Sequence, residues 1–239
     1  MKISELLRQR PTLSFEIFPP KNKDGDISSI YSTIDQLKEK GIENILALRG
    51  DYPKGYDPQT APQEFRHASD LAAFITANYP DAFCLSGACY PEVHEEADSL
   101  EADLRHLKIK VDAGASYLVT QIFLDNNYYY RLLREARKRG IQVPILAGIM
   151  PATNAKQLLN MSKMCGCSIP YTLSAMIERF SAHPAAMQEI GLNYAAWQIM
   201  DLITNGVEGI HLYTMNRPQI ATEIMRRCDA ILREFRDAH

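Results

Sequence analysis

"FEIFPPKNKDG", residues 15–25, follows the first apolar run of the chain. An open nucleotide-binding sheet would carry its glycine-rich turn at this point. No G-x-G-x-x-G is present; a carboxylate, Glu16, lies between Phe15 and Ile17, and two prolines follow. Further apolar runs are "NILALRG" (44–50), "FCLSGACYP" (83–91), "YLVTQIF" (117–123), "PILAGIMP" (144–151) and "GIHLYTM" (209–215). With "LSFEIF" (13–18) they read as six buried strands. Helical patterns fall between them at 28–40, 63–78, 95–113, 126–139, 154–164 and 185–205. In the third of these, Leu100, Leu104, Leu107 and Val111 recur at spacings of three and four, and Gly114 supplies a stop.

Strands alternating with helices predict a parallel sheet, either doubly wound or closed into a barrel. Nearly every strand ends in polar groups: Glu16, Arg49 with Asp51, Tyr90 with His94, Gln121 with Asp125, and Tyr213 with Asn216 and Arg217. Polar residues delivered by many strand ends favour an α/β (βα)8 TIM-type barrel with its site at the C-terminal face. Only six strands are readable where eight are required.

The chain has 239 residues, of which 46% are hydrophobic and 23% charged, so it is expected to fold as a single domain over residues 1–239. A net charge of -3 offers no field for a phosphate backbone, which argues against nucleic acid. No run approaches a membrane span, and "MKISELLRQRP" has no apolar core suited to a signal peptide. Cys84, Cys89, Cys165, Cys167 and Cys228 lack zinc-site spacing and read as reduced thiols, so a cytoplasmic location is expected and no metal is.

Several residues admit two readings. Glu16 is either paired with an interior cation or a general acid whose carboxyl is raised by burial. Arg49 and Asp51 form either a turn ion pair or a ligand contact at a strand end. His94 could simply start a helix, and Lys110 could answer a helix dipole or hold a phosphate. Gln121, if buried, requires a partner from a ligand or a neighbouring strand. Tyr128, Tyr129 and Tyr130 suit packing better than base stacking, given the absence of a basic surface.

Taken together, "LSFEIFPP", "ILALRGDYP", "CYPEVHEEADSLEADLRHLKIKVDAGASYLVTQIFLD", "ILAGIMPATNAKQ" and "GIHLYTMNR" closely resemble the bacterial 5,10-methylenetetrahydrofolate reductases, in order and across nearly the whole chain. The resemblance implies a (βα)8 barrel holding FAD, which carries hydride from NADH or NADPH to methylenetetrahydrofolate in a ping-pong reaction. Glu16 then matches the general acid, and Asp51 matches a residue that meets the pterin beside the flavin. Arg49, Gly50, Asp51, Ala68, Tyr90, His94, Ala97, Asp103 and Lys110 match FAD positions. Asp51, Gln121, Gln157 and Arg217 match folate positions, with Gln121 also near the nicotinamide. His106 and Ile109 fall where relatives place polar or basic FAD contacts, and Ile109 departs from that pattern. The resemblance also implies a homo-oligomer and leaves room for an electron-transfer partner protein.

The resemblance locates the strand shortfall. "ISSIYSTIDQLKE" resembles the helix after strand one, and "KGIENILALRG" the approach to strand four, so strands two and three are missing near Glu39 and Lys40. At roughly 30 residues per unit this is about 60 residues. In the family that stretch carries a Thr-Tyr pair at the nicotinamide and flavin, and a His on the FAD. Either a segment is omitted from the sequence or the chain is shortened. A non-catalytic or partner-dependent folate-binding relative is the alternative function. Another FAD barrel, such as a proline dehydrogenase, is disfavoured by "ALRGD" and "YPEVH" together.

Overall fold

The computed structural model describes residues 2–7, 13–15, 27–48 and 65–237. Glu16, Arg49, Gly50 and Asp51 lie outside the described residues. The strands are β1 (Leu13–Phe15), β2 (Asn44–Ala47), β3 (Cys84–Cys89), β4 (Ala115–Thr120), β5 (Ile145–Ile149) and β6 (Ile210–Leu212). The helices are α1 (Ile3–Leu7), α2 (Ile27–Glu39), α3 (Ala68–Asn78), α4 (Leu100–Asp112), α5 (Asn126–Lys138), α6 (Ala155–Cys165), α7 (Tyr171–Phe180), α8 (Pro184–Thr204) and α9 (Pro218–Asp237).

The six strands form one curled parallel sheet in the order β1-β6-β5-β4-β3-β2, a partial TIM-type barrel. Register is set by pairs such as Phe15 with Leu212, Ile149 with Leu212, and Cys89 with Thr120. β1 and β2, consecutive in the chain, are the opposite edges of this sheet.

Side-chain alternation separates two faces. Leu118, Ile145, Ala147, Ile149, Ile210 and Leu212 join the main core with helical residues including Leu104, Leu132, Leu192 and Ile224. Cys84, Tyr117, Val119 and Leu146 form a separate cluster on the concave face, and Ile3, Leu7 and Tyr213 pack against it. α1 lies at the N-terminal ends of the strands: the Ile3 amide donates to Asn44 Oδ1 at 2.8 Å, and Lys2 Nζ donates to the Asp81 carbonyl at 2.6 Å. This polar-looking start therefore contributes two apolar residues to the barrel floor.

α1, α7 and α9 were not anticipated from the sequence patterns. α4 begins at Leu100 rather than at residue 95, because Ser99 caps it, its side chain accepting from the Ala102 amide at 3.2 Å. The tyrosine run is structural: Tyr129 donates to the Ile145 carbonyl at 2.7 Å, and Tyr130 donates to Asp201 Oδ2 at 2.6 Å. Asn126, also bonded to Asp201 (2.7 Å) and to the Gln198 carbonyl (3.0 Å), completes a polar tie between α5 and α8. Among the described residues no helix is long and apolar enough to cross a membrane.

His211, on the concave face, is 9% exposed and meets the Tyr213 ring edge-on at 4.6 Å. Burial depresses its pKa from 6.5 to about 4. The folded chain keeps this imidazole neutral while the unfolded chain takes up a proton, so stability is lost as pH falls from about 6.5 towards about 4. The loss reaches about 2 kcal/mol near pH 5, from ~1.4 kcal/mol per pH unit. His211→Phe is expected to remove this component, which urea unfolding of both proteins at about pH 5 and about pH 7.5 would measure. An equal pH response in the two would contradict it.

Candidate active site

The C-terminal ends of β3 to β6 converge on one rim. β3 leads into Tyr90 and the loop to α4, and its Cys89 carbonyl accepts from the Gln121 amide at 2.7 Å, joining the ends of β3 and β4. Tyr90 and His94 meet edge to face, 4.4 Å between centroids. His94 Nδ1 accepts from the Glu96 amide at 3.0 Å, which places the proton of the neutral ring on Nε2. Its own amide donates to Asp103 Oδ2 at 3.0 Å, and its carbonyl accepts from the Ala97 amide at 2.9 Å. Between Tyr90 and His94, Val93 sits at φ 80°, a left-handed conformation costly for a β-branched residue. Glu92 fixes the loop from outside by accepting from the Ser168 amide and hydroxyl, the latter at 2.6 Å.

Beneath this loop lies a buried charged group. Lys110, near the end of α4, donates through Nζ to the Ala88 carbonyl. Gly87 leaves room for its stem: a Cβ there would lie 2.3 Å from Lys110 Cδ. Burial lowers the Lys110 pKa, opposed by Cys89 and Asp103. Burial raises that of Asp103, opposed by the His94 amide and by the charges of His94, Lys110 and His106. The Cys89 thiol is pushed up to about 12 by burial, so this cysteine stays protonated. Lys110 is therefore more than an answer to the helix dipole.

Gln121 Oε1 accepts from the following Ile122 amide at 2.8 Å, while Nε2 has no partner among the described residues. Across the rim, Gln157 and Arg217 line one cleft with Thr153, Tyr213 and Thr214. Arg217 Nη1 donates to Thr153 Oγ1 at 3.2 Å. Met215 (φ 51°) and Asn216 (φ 57°) are both left-handed, and the Arg217 amide closes onto the Thr214 carbonyl at 3.0 Å, the geometry of a type I′ turn. That turn holds Arg217 at the rim, exposed.

The described candidates thus fall into two groups, Tyr90, His94, Ala97, Asp103 and Lys110 on one side and Gln157 with Arg217 on the other, with Gln121 between them just past the end of β4. Ala68 is the first residue of α3, half-buried. Ile109, an apolar side chain on α4, is 56% exposed. Sequence reasoning missed Cys89, Thr120 and Gly148. The Gly148 amide donates to Thr120 Oγ1 at 2.8 Å, and Tyr213 donates to the Thr120 carbonyl at 3.0 Å, tying three strands on the concave face. A small residue between Ala147 and Ile149 was the available signal for Gly148. Among the described residues no group of three or more His, Cys, Asp or Glu could hold a metal ion.

The sequence profile of the family described as Methylenetetrahydrofolate reductase matches residues 24–229. The chain belongs to that family. It is 36% identical over 209 residues to Methylenetetrahydrofolate reductase (NADH) 1 of Arabidopsis thaliana, covering 83% of this chain and 35% of the relative. It is 28% identical over 291 residues to Methylenetetrahydrofolate reductase 1 of Schizosaccharomyces pombe, covering 95% of this chain and 48% of the relative. The chain thus spans between a third and a half of the length of these methylenetetrahydrofolate reductases. A solved structure of an uncharacterized protein from Clostridium thermocellum, described as binding two copies of 5-methyl-5,6,7,8-tetrahydrofolic acid, has a TM-score of 0.56 at 15% identity. It covers 96% of this chain and 99% of that one, and the likeness is one of fold.

Proposed function

We propose that this protein reduces 5,10-methylenetetrahydrofolate to 5-methyltetrahydrofolate with NADH or NADPH, in two half-reactions at one site. FAD, when bound, supplies the centre that accepts hydride from the nicotinamide and returns it to the folate. The observation that carries the reading is the two-sided rim within a family match: a buried cation and aromatic pair on one side, an arginine and a glutamine on the other. Membership of the family supports the folate substrate.

The residues present fit an anionic dinucleotide. Lys110 offers a buried ammonium, and Asp103 fixes the loop bearing His94, whose protonated nitrogen is Nε2. Tyr90 and His94 present a rigid ring pair. Ala68, Ala97, Arg49 and Gly50 would contribute the remaining cofactor contacts. Exposed Ile109 contributes no polar contact to a diphosphate or ribose. Gln121 has an amide Nε2 available for hydrogen bonding, and Arg217 suits the carboxylates of a folate tail. In this proposal Asp51 engages the pterin. Glu16 gives a proton to the folate ring nitrogen as the five-membered ring opens to the iminium that receives hydride.

A protein of native length should bind FAD and show flavin absorbance bleached by NADH or NADPH and restored by methylenetetrahydrofolate. Failure to bind any flavin would overturn the reading. Lys110→Met, which keeps the stem and removes the charge, is expected to raise the FAD dissociation constant about 10- to 100-fold, the worth of one charge-assisted hydrogen bond. Flavin fluorescence titration measures it, with circular dichroism checking the fold. A partner-dependent form of the same activity is favoured by the position of β1 and β2 as the two sheet edges.

A further inference from the structure

The loop that carries Tyr90 and His94 is held against its own backbone preference. β3 ends at Cys89, and the chain turns over Tyr90 to Val93, with Pro91 at the second position and the Val93 amide donating to the Tyr90 carbonyl at 3.4 Å. Val93 then takes φ 80°, and the chain brings His94 back against the Tyr90 ring, 4.4 Å between centroids. Left-handed backbone at a β-branched residue is a strain worth roughly tenfold in a local equilibrium, and it persists only where the surroundings over-determine it.

Ties on both sides of Val93 supply that constraint. Arg131 Nη2, on α5, donates to the Pro91 carbonyl at 3.2 Å, and Asp103, on α4, accepts from the His94 amide at 3.0 Å. Glu92, immediately before Val93, is held by a residue 76 positions away in the chain. Its carboxylate accepts from the Ser168 amide at 3.0 and 3.1 Å and from the Ser168 hydroxyl at 2.6 Å, so two donors of one residue meet one charged acceptor.

Ser168 is a firm anchor because the end of α6 is locked just before it. Gly166, at φ 63°, closes the helix, the Cys167 amide donates to the Ser162 carbonyl at 3.0 Å, and the Ser162 hydroxyl donates to the Cys167 carbonyl at 2.5 Å. Cys167 is buried in one cluster with Leu158 and Leu173. The helix end also touches the loop directly, since a Cβ on Gly166 would lie 3.5 Å from Glu95 Cγ. α6 carries Gln157 of the opposite cleft in its first turn, so a single helix runs from one half of the rim to the anchor of the other.

We propose that Glu92 is a positioning residue for the cofactor half of the rim: its carboxylate, gripped by Ser168, holds Val93 in the left-handed conformation that faces His94 onto Tyr90. The consequence for flavin rests on the reductase reading. The consequence for the loop does not.

The test is a double-variant cycle between Glu92 and Val93 in the full chain. Glu92→Ala is expected to speed amide hydrogen exchange at His94 and Glu96, followed by NMR, about tenfold. Those two amides are bonded to Asp103 and to the His94 ring, so their exchange reports opening of the loop. Adding Val93→Gly should return exchange to within about threefold of the parent, because glycine adopts positive φ without the penalty. Ser168→Ala, which removes the hydroxyl and keeps the amide, should give a smaller rise of about threefold. The FAD dissociation constant should follow the same order, about tenfold higher in Glu92→Ala and restored in the double variant. Removing a negative charge beside an anionic cofactor would by itself tighten binding, so weaker binding identifies positioning. Parent-like exchange or parent-like flavin affinity in Glu92→Ala would overturn the proposal, as would a defect that Val93→Gly leaves in place. A parent chain that binds no flavin sinks the reductase reading alone, because exchange at His94 and Glu96 still decides what Glu92 does.

Discussion

Glu16→Gln is expected to slow the folate half-reaction about 10²- to 10⁴-fold, the usual worth of a positioned general acid, while bleaching by NADH proceeds at the parent rate. The physical reason is selective. Hydride delivery from the nicotinamide needs no proton donor on the folate side, whereas opening the five-membered ring leaves a nitrogen that must be protonated. Glutamine preserves the size and hydrogen bonding of the side chain but cannot release a proton in this range. Phe15, immediately before Glu16, pairs with Leu212 at the C-terminal end of β6, whose following residues carry Tyr213 and Arg217 to the rim. Stopped-flow absorbance, with each half-reaction run separately, measures the split. Equal slowing of both halves would assign Glu16 to cofactor binding instead.

Gly148→Ala is expected to cost about 1–3 kcal/mol of stability, together with loss of order at the rim. A Cβ at this position would stand 2.3 Å from the Thr120 carbonyl oxygen and 2.7 Å from the Tyr213 ring. Neither can yield cheaply. The Thr120 oxygen is backbone and already accepts from Tyr213, and the Thr120 hydroxyl accepts from the Gly148 amide itself. Relief requires β4, β5 and β6 to part where they deliver Gln121, the Thr153 loop and Arg217. Urea unfolding should therefore show the stability loss, and the KM for folate should rise more than that for the nicotinamide. A variant with parent stability would show that the three-strand tie is looser than the distances imply.

The class of fold was legible because parallel strands buried on both faces leave a simple signature, short apolar runs separated by amphipathic helices. The six apolar runs read from the sequence each contain or overlap one of the six described strands. α7 and α9 were not legible, although they bury residues such as Leu173, Ile177, Ile224 and Cys228. Both follow the last patterns recognised in their regions, where no strand marked an end. α1 was read for its polarity, and only its docking on Cys84 and Tyr117 shows Ile3 and Leu7 as floor residues.

At the site, residue type and strand-end position were enough to select Tyr90, His94, Lys110, Gln121 and Arg217. They could not say what each one does. Lys110 was ambiguous between a helix dipole and an anion because its environment is made by Gly87, Ala88, Cys89 and Asp103, from β3 and an earlier turn of its own helix. Cys89 and His211 carried no local signal, since their pKa values are set by burial and burial is a property of the packed sheet. By itself, the sequence determined which residues stand at strand ends, because periodicity and turn chemistry are local. Only the tertiary structure decided which of them share a rim, which are desolvated and which described strands lie at the sheet edges, because those depend on strand order and on contacts between residues distant in the chain.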